Sequence, residues 1–297
     1  RFGNTVLLEN QAYLPLGFLA ERSLGQLEFT TSGNAFSFQN DLFAAATGVT
    51  GEAWHKLDGD SLLIHGDDVQ ISEENGSGYC RYVSNAAKSD LTYSFTADRD
   101  GFACIHLDLP KRNEFYVSVN GLELYKEKIS LPQMLAVSDV KTGDVIDVRI
   151  VCGEDESSTM TVSAAILNPE RFRQGYEVLN ASTLKLSAFN ATRVEGTIDC
   201  DRDGLLYTSI PQNGNWEATV DGKPVETVLV GDCMLSLPLT AGSHSIRLTY
   251  HNAAFTLGWK LSLACAVVFV VLIFTCYRSE LRQKPGKFAR GNRHQEK

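Results

Sequence analysis

Asp144-Val145-Ile146-Asp147-Val148-Arg149-Ile150 alternates apolar and polar residues with a period of two. That period marks a strand with one face in a core and the other in water. Similar runs, interrupted by turn residues, fill almost all of residues 1–255. Asn120-Gly121 and Asp221-Gly222 separate such runs. Both are hairpin dipeptides, because the two central positions of the tight turn need positive φ. The region is therefore predicted to be mainly β.

A faint internal repeat runs outward from this stretch. Asp98-Arg99-Asp100-Gly101 recurs as Asp201-Arg202-Asp203-Gly204. Phe115, Val117, Val119 and Asn120-Gly121 match Trp216, Ala218, Val220 and Asp221-Gly222. Ile146, Val148 and Ile150 match Ile246, Leu248 and Tyr250. The pattern predicts two β-sandwich modules of jelly-roll or immunoglobulin-like type. Two short helices punctuate them. Asn40 is expected to cap one that runs through Asp41–Ala46 and stops at Gly48. Asn168-Pro169 opens another, with Pro at the first helical position, that runs to about Leu179. The expected organisation is a leading segment at 1–19, a first module at 20–167 and a linker helix at 168–182. A second module follows at 183–254, then a membrane helix at 255–277 and a basic tail at 278–297.

The membrane helix rests on Leu261–Tyr277, which holds no charged residue. Counted from Leu257 the segment spans about 31 Å at 1.5 Å per residue, enough to cross a bilayer core. Trp259 and Tyr277 stand where interfacial aromatics belong, and Lys260 can snorkel to the headgroups. Residues 278–297 hold seven basic and two acidic residues. The positive-inside rule therefore puts the tail in the cytoplasm and residues 1–256 outside it. An external domain with its visible helix at the C-terminal side needs an export signal or upstream membrane helices. The sequence, which starts at Arg1, is expected to be the C-terminal part of something larger.

Composition excludes several classes. The 297 residues allow two domains, and 43% hydrophobic content is that of a folded chain. A net charge of -9 argues against a nucleic-acid partner. A mean hydropathy of -0.12 excludes a bundle of many membrane helices within this stretch. Cys80, Cys104, Cys152, Cys200 and Cys233 form no close pairs and are read as mainly buried thiols.

Chemical motifs are sparse. Asp199-Cys200-Asp201-Arg202-Asp203-Gly204 fits the opening of a calcium loop, but the twelfth position is Ile210 where a bidentate acid is needed. It reads better as a strand-to-strand turn with its glycine left-handed. His55, His65, His106, His244, His251 and His294 show no zinc spacing. No nucleophile elbow, P-loop or dinucleotide fingerprint occurs, and no pair of acids can be singled out. Trp54, Trp216 and Tyr116 could stack on sugar rings, although Trp216 is expected on the inner face of the second module. Asn75-Gly76-Ser77, Asn180-Ala181-Ser182 and Asn190-Ala191-Thr192 are glycosylation sequons, meaningful only in a eukaryotic source. No catalytic, cofactor-binding or metal residue is assigned.

Other residues carry a resemblance. Leu14-Pro15-Leu16-Gly17-Phe18 precedes Phe38-Gln39-Asn40, Leu42-Phe43 and Thr47-Gly48. Later come Gly204-Leu205-Leu206, Gly214-Asn215-Trp216, Val220-Asp221-Gly222-Lys223-Pro224 and Ala241-Gly242-Ser243-His244, then Tyr250, Phe255 and Gly258. In this order they resemble the C-terminal third of the YfhO family of bacterial membrane proteins. The run from Trp216 to Pro224 ahead of a membrane helix is the most specific part. Gln212-Asn213-Gly214-Asn215-Trp216 departs from the pattern, which has an aromatic and a glycine directly before the tryptophan.

The resemblance implies a polytopic protein similar to glycosyltransferases that use a lipid-phosphate-linked sugar at the outer membrane face. Some such proteins are associated with adding sugars to teichoic-acid-type envelope polymers. The acids implied to act in catalysis lie upstream, so none is carried onto this chain. The expected role is a non-catalytic extracytoplasmic region, with the bilayer, the upstream membrane domain, lipid-linked sugar and surface glycopolymer as implied partners. A single-pass adhesin or carbohydrate-binding protein is the alternative, and a hydrolase is the third class.

Overall fold

The computed structural model describes residues 10–28, 34–86, 89–109, 111–129, 131–154 and 156–282. The leading segment before residue 10 and the basic tail after residue 282 lie outside the described residues. The chain begins with β1 (Gly17–Ala20), a 3-10 turn (Arg22–Gln26) and α1 (Ala35–Thr47). Next come β2 (Trp54–Lys56), β3 (Leu62–Asp67), β4 (Val69–Glu74), β5 (Tyr79–Ser84), β6 (Ser89–Thr96) and β7 (Gly101–Asp108). They are followed by β8 (Asn113–Val119), β9 (Leu122–Ile129), β10 (Gln133–Val140), β11 (Val145–Cys152) and β12 (Ser157–Leu167). After α2 (Pro169–Ala181) come β13 (Lys185–Asn190), β14 (Arg193–Cys200), β15 (Gly204–Pro211), β16 (Trp216–Val220) and β17 (Lys223–Val225). The last elements are β18 (Val228–Val230), β19 (Met234–Leu239), β20 (Gly242–Tyr250) and α3 (Ala253–Arg282).

Among the described residues, four antiparallel sheets make two sandwiches. In the first, β10-β7-β12-β5-β4 faces β3-β6-β11-β8-β9. In the second, β1-β15-β19-β18 faces β13-β14-β20-β16-β17. The alternation of β11 is obeyed: Ile146, Val148 and Ile150 are fully buried, and Asp147 and Arg149 face outward. Tyr82, Tyr93, Phe95 and Phe115 fill the first core, while the second is built of Leu19, Leu206, Leu235, Leu237, Ile246 and Leu248.

The internal repeat is structural. The order β3-β6-β11-β8-β9 corresponds strand for strand to β13-β14-β20-β16-β17. Both hairpin dipeptides have positive φ at both positions, 49° and 80° at Asn120-Gly121 and 52° and 76° at Asp221-Gly222. The Asn120 Oδ1 accepts from the Val145 N–H at 2.9 Å, and the Asp221 Oδ1 accepts from the Ser245 N–H at 2.8 Å. Asp100 accepts from the Thr142 N–H and Asp203 from the Ala241 N–H, each at 2.9 Å.

Strand β1 lies across the boundary expected at residues 19 and 20. It pairs with β15 in the second sandwich, where Gly17 stands opposite Thr208 and Ala20 opposite Leu205. It occupies the place that β12 holds beside β7 in the first. Close approach, not a left-handed turn, explains Gly204. Its φ is not positive, and a Cβ there would sit 2.6 Å from the Ala20 carbonyl oxygen. The expectation of a left-handed glycine is corrected accordingly.

Helix α1 starts earlier than expected. Asn34 is its N-cap, accepting from the Phe36 N–H at 2.9 Å. Asn40 is buried in the helix, where its amide accepts from the Trp54 N–H and donates to the Trp54 carbonyl, both at 2.8 Å. An Asn suits a cap, but this one ties a strand to a helix. Gly48 does end α1, with φ of 68°. Asn168 caps α2 by accepting from the Arg171 N–H at 3.1 Å, with Pro169 in the first turn.

Within α3, the span Ala253–Ser279 holds an 18-residue window of mean hydropathy 2.3, and none of the span is buried within the protein. Its length and composition are enough to cross a membrane.

Candidate functional site

The two helices fill the space between the sandwiches. Ala20, Leu24 and Leu205 pack on Ala46, Leu42 and Leu179, while Phe36 packs on Cys104 and Ala165 of the first sandwich. Helices α1 and α2 touch closely at Gly175, where a Cβ would lie 2.2 Å from the Phe43 ring.

This packing leaves a groove of about 650 Å³ lined by Phe18, Phe38, Phe43, Trp54, His106, Met134, Phe172 and Tyr207 among others. Phe18 packs on Tyr207 with ring centroids 5.4 Å apart, and Phe36 packs on Trp54 at 5.3 Å. Its lining includes no carboxylate, lysine or arginine. His106 Nδ1 is buried without a hydrogen-bond partner. Burial pushes the imidazole below its usual pKa, against a weaker upward pull from Asp108. The groove can therefore stack on apolar faces and offer hydrogen bonds from polar side chains of its lining, His106, Gln39 and Tyr207 among them. Among the described residues that line it, no carboxylate stands beside the histidine.

The outer face of the first sandwich is chemically different. Register places His65, Thr92, Arg149, Tyr116 and Lys126 in one row across β3, β6, β11, β8 and β9. The Arg149 guanidinium lies 3.9 Å from the Tyr116 ring centroid and the Lys126 ammonium 5.1 Å. Arg149 also pairs with Asp90 at 2.9 Å, and the Ser94 hydroxyl donates to Asp147 at 2.6 Å. A recess of about 330 Å³ lined by His65, Tyr116, Asp147 and Arg149 offers donors and acceptors suited to hydroxyl-rich ligands.

The three aromatics singled out from sequence are separated. Trp54 lines the groove, Tyr116 lies on the outer face, and Trp216 packs half-buried against the second core with its edge to Tyr250, centroids 5.1 Å apart. The acidic run is a clamp. Arg202 pairs with Glu21 at 2.9 Å and Asp203 with Arg22 at 3.0 Å, tying β1 to the turn before β15. Among the described residues no group of three or more His, Cys, Asp or Glu side chains could hold a metal.

Cys80, Cys104, Cys152 and Cys200 are buried free thiols, and Cys233 is an exposed one. Burial pushes Cys80, Cys104 and Cys200 up to about 11 and Cys152 up to about 12. Thiols so protonated are poor nucleophiles. Sequence reasoning missed the role of His106, Phe38 and Phe43. The spacing of Phe36 and Phe43, two helical turns apart, is the one local signal of that face.

No curated protein matches the chain. Among solved structures it is similar to a family 35 carbohydrate binding module from Clostridium thermocellum, at 10% identity and TM-score 0.27, covering 39% of this chain and 97% of that one. It is also similar to a family 2 glycosyl hydrolase from Bacteroides cellulosilyticus, at 12% identity and TM-score 0.27, over 67% of this chain and 32% of that one. Scores this low carry no argument about activity. The family model described as bacterial membrane protein YfhO matches residues 1–262, so this chain belongs to the YfhO family.

Proposed function

We propose that residues 1–256 are the extracytoplasmic C-terminal region of a polytopic, glycosyltransferase-like membrane protein. The whole protein would move sugar from a lipid-linked donor onto cell-envelope polymers of teichoic-acid type. This region would hold and orient its surroundings without supplying catalytic groups. The observation that carries the reading is the use already made of its acids. Asp201 and Asp203 are spent on turn contacts and on Arg202 and Arg22, and the groove between the sandwiches is lined mainly by apolar side chains. A transferase needs an acid or base within about 3 Å of the reacting hydroxyl. The carrying acids then belong to the membrane portion.

The test is sugar transfer by the full-length protein in membranes, comparing wild type with Asp201→Asn and Asp203→Asn at matched abundance. Activity within a few-fold of wild type is expected. A folded variant down by about a hundredfold, the scale of a lost acid–base group, would contradict it.

The polar row across the first sandwich favours a second reading, a surface that holds neutral glycan. Residues 1–259 carry a net charge of -15, which repels a polyanion at close range. Tyr116→Ala should then weaken glycan binding without lowering the melting temperature, and unchanged binding would remove that reading.

A further inference from the structure

The second sandwich has two ends, and they differ. Strand β20 ends at Tyr250 and α3 begins at Ala253, with Asn252 accepting from the Phe255 N–H at 2.8 Å. Two residues cannot carry the chain far. Ala253 lies about 6–12 Å along the helix from Leu257–Leu261, where the hydrocarbon-spanning run starts. A headgroup layer is about 5–8 Å thick. The end of the sandwich that releases β20 must therefore stand at the headgroups.

Pairing identifies what else lies there. Arg193 opposite Thr249 and Trp216 opposite Tyr250 bring the turns at 190–192 and 212–215 beside the exit. The Tyr250 N–H donates to the Thr192 carbonyl at 2.9 Å and the His251 N–H to the Asn215 carbonyl at 2.7 Å. These turns and the connector 251–252 contain five side-chain amides, Asn190, Gln212, Asn213, Asn215 and Asn252, and no lysine, arginine or acid. Phe189 beside them is 67% exposed. The approach to β1 arrives at the same end, since the Ser209 N–H donates to the Leu16 carbonyl at 3.0 Å, and Tyr13 there is 65% exposed. At the opposite end the turns carry Asp201, Asp203 and Asp221. Three exposed acids also stand at the exit end: Glu217 faces His251 at 3.5 Å, and Glu226 and Asp232 adjoin Thr227 and Cys233, which hydrogen-bond Gln212 at 3.4 Å and 2.7 Å.

We propose that this amide-rich end is a lipid-facing surface that sits in the headgroup layer. Gln212, Asn213 and Asn215 spend their amide groups on one another, on Trp216 and on Tyr250 and hold the turn together. Asn190 and Asn252 use only their amide oxygens in their own turns. They donate their amide N–H groups to headgroup phosphodiester oxygens, with Phe189 and Tyr13 as interfacial aromatics. The proposal rests on α3 spanning the bilayer. It gives the second sandwich a fixed stance, with the turns that hold Asp201, Asp203 and Asp221 pointing away from the membrane.

The test uses the full chain in phosphatidylcholine–phosphatidylglycerol vesicles containing a headgroup nitroxide lipid. Exposed cysteines are first replaced (Cys233→Ser, Cys265→Ser, Cys276→Ser). A bimane is then placed at Ala191→Cys or at Ala241→Cys, two exposed alanines at opposite ends of one sheet. Quenching should be several-fold stronger at 191 than at 241, and Phe189→Ser should reduce it at 191. Vesicle flotation reports insertion separately. Protein that floats with equal or reversed quenching overturns the lipid-facing end and leaves the membrane reading standing. Protein that does not float overturns both.

Discussion

The two sandwiches share turns and strand order, yet they are closed differently. The first completes its sheet with β12, contiguous in sequence with the rest of the module. The second completes its sheet with β1, which precedes the whole first sandwich. The equivalent glycines record the substitution. A Cβ at Gly101 would meet Ile166 of β12 at 2.5 Å, and one at Gly204 would meet the Ala20 carbonyl of β1 at 2.6 Å. The equivalent place is filled once by a side chain of a local strand and once by the backbone of a distant one. The first sandwich is therefore expected to fold from its own segment, and the second to need β1 in place. The cores differ as well: Tyr82, Tyr93, Phe95 and Phe115 stand among the aliphatic residues of the first, and no aromatic is among the buried residues of the second.

Buried cysteines in each core let the difference be broken experimentally, with Cys152 reporting the first sandwich and Cys200 the second. The largest effect is expected for Phe115→Ala. Phe115 is fully buried, and its loss should cost about 3–5 kcal/mol. Cys152 should become reactive to a thiol reagent while Cys200 stays protected. Its repeat partner sharpens the point: Trp216 is half-buried, so Trp216→Ala should cost less, about 2 kcal/mol on the same scale.

Leu19→Ala reverses the pattern. Leu19 belongs to β1 and is fully buried, so its truncation should cost about 2–5 kcal/mol. Cys200 should open with Cys152 still protected. Simultaneous labelling of both would show one cooperative unit in place of two.

The sandwiches should also answer pH in opposite directions. The Asp221 carboxylate, 2.8 Å from His244, raises that imidazole's pKa. A raised histidine stabilises fully below its unfolded pKa of about 6.5, and the gain is lost as pH rises through the raised folded value. Burial lowers His106 in the groove beside the first sandwich. Its contribution is present above about pH 6.5 and lost as pH falls through the depressed folded value. Asp221→Asn keeps an oxygen for the Ser245 N–H but loses the charge. Its denaturation midpoint should fall below wild type at pH 6 and approach it at pH 8.5. His106→Leu should gain on wild type only at acid pH. The same sign for both would break the comparison.

The smallest effect is expected at the clamp. Asp203 and Arg22 are 54% and 61% exposed, so removing that pair by Arg22→Ala should cost no more than about 1 kcal/mol. A larger loss of Cys200 protection would show that the clamp, and not Leu19, holds β1.

The sequence-to-structure gap follows these same features. Strand β11 was readable because one face is wet and one dry. Strands β7 and β15 were harder, since Ala103-Cys104-Ile105 and Gly204-Leu205-Leu206 are buried on both faces by the helices and show no alternation. The turn dipeptides were readable because positive φ restricts residue choice locally. The membership of β1 was not, because pairing across so long a separation leaves no local mark. Asn40 misled for the opposite reason, since its residue type fits a cap and its use is long-range. The groove needs both sandwiches and both helices, so no single stretch announces it.

On the proposed topology both sandwiches stand outside the cytoplasm on a membrane-crossing α3. An impermeant maleimide on intact cells tests it, in the background lacking the exposed native thiols. Lys223→Cys, in the Asp221-Gly222 hairpin region, should label directly, and Asn292→Cys should label only after permeabilisation. Direct labelling at 292 with protection at 223 would contradict the account.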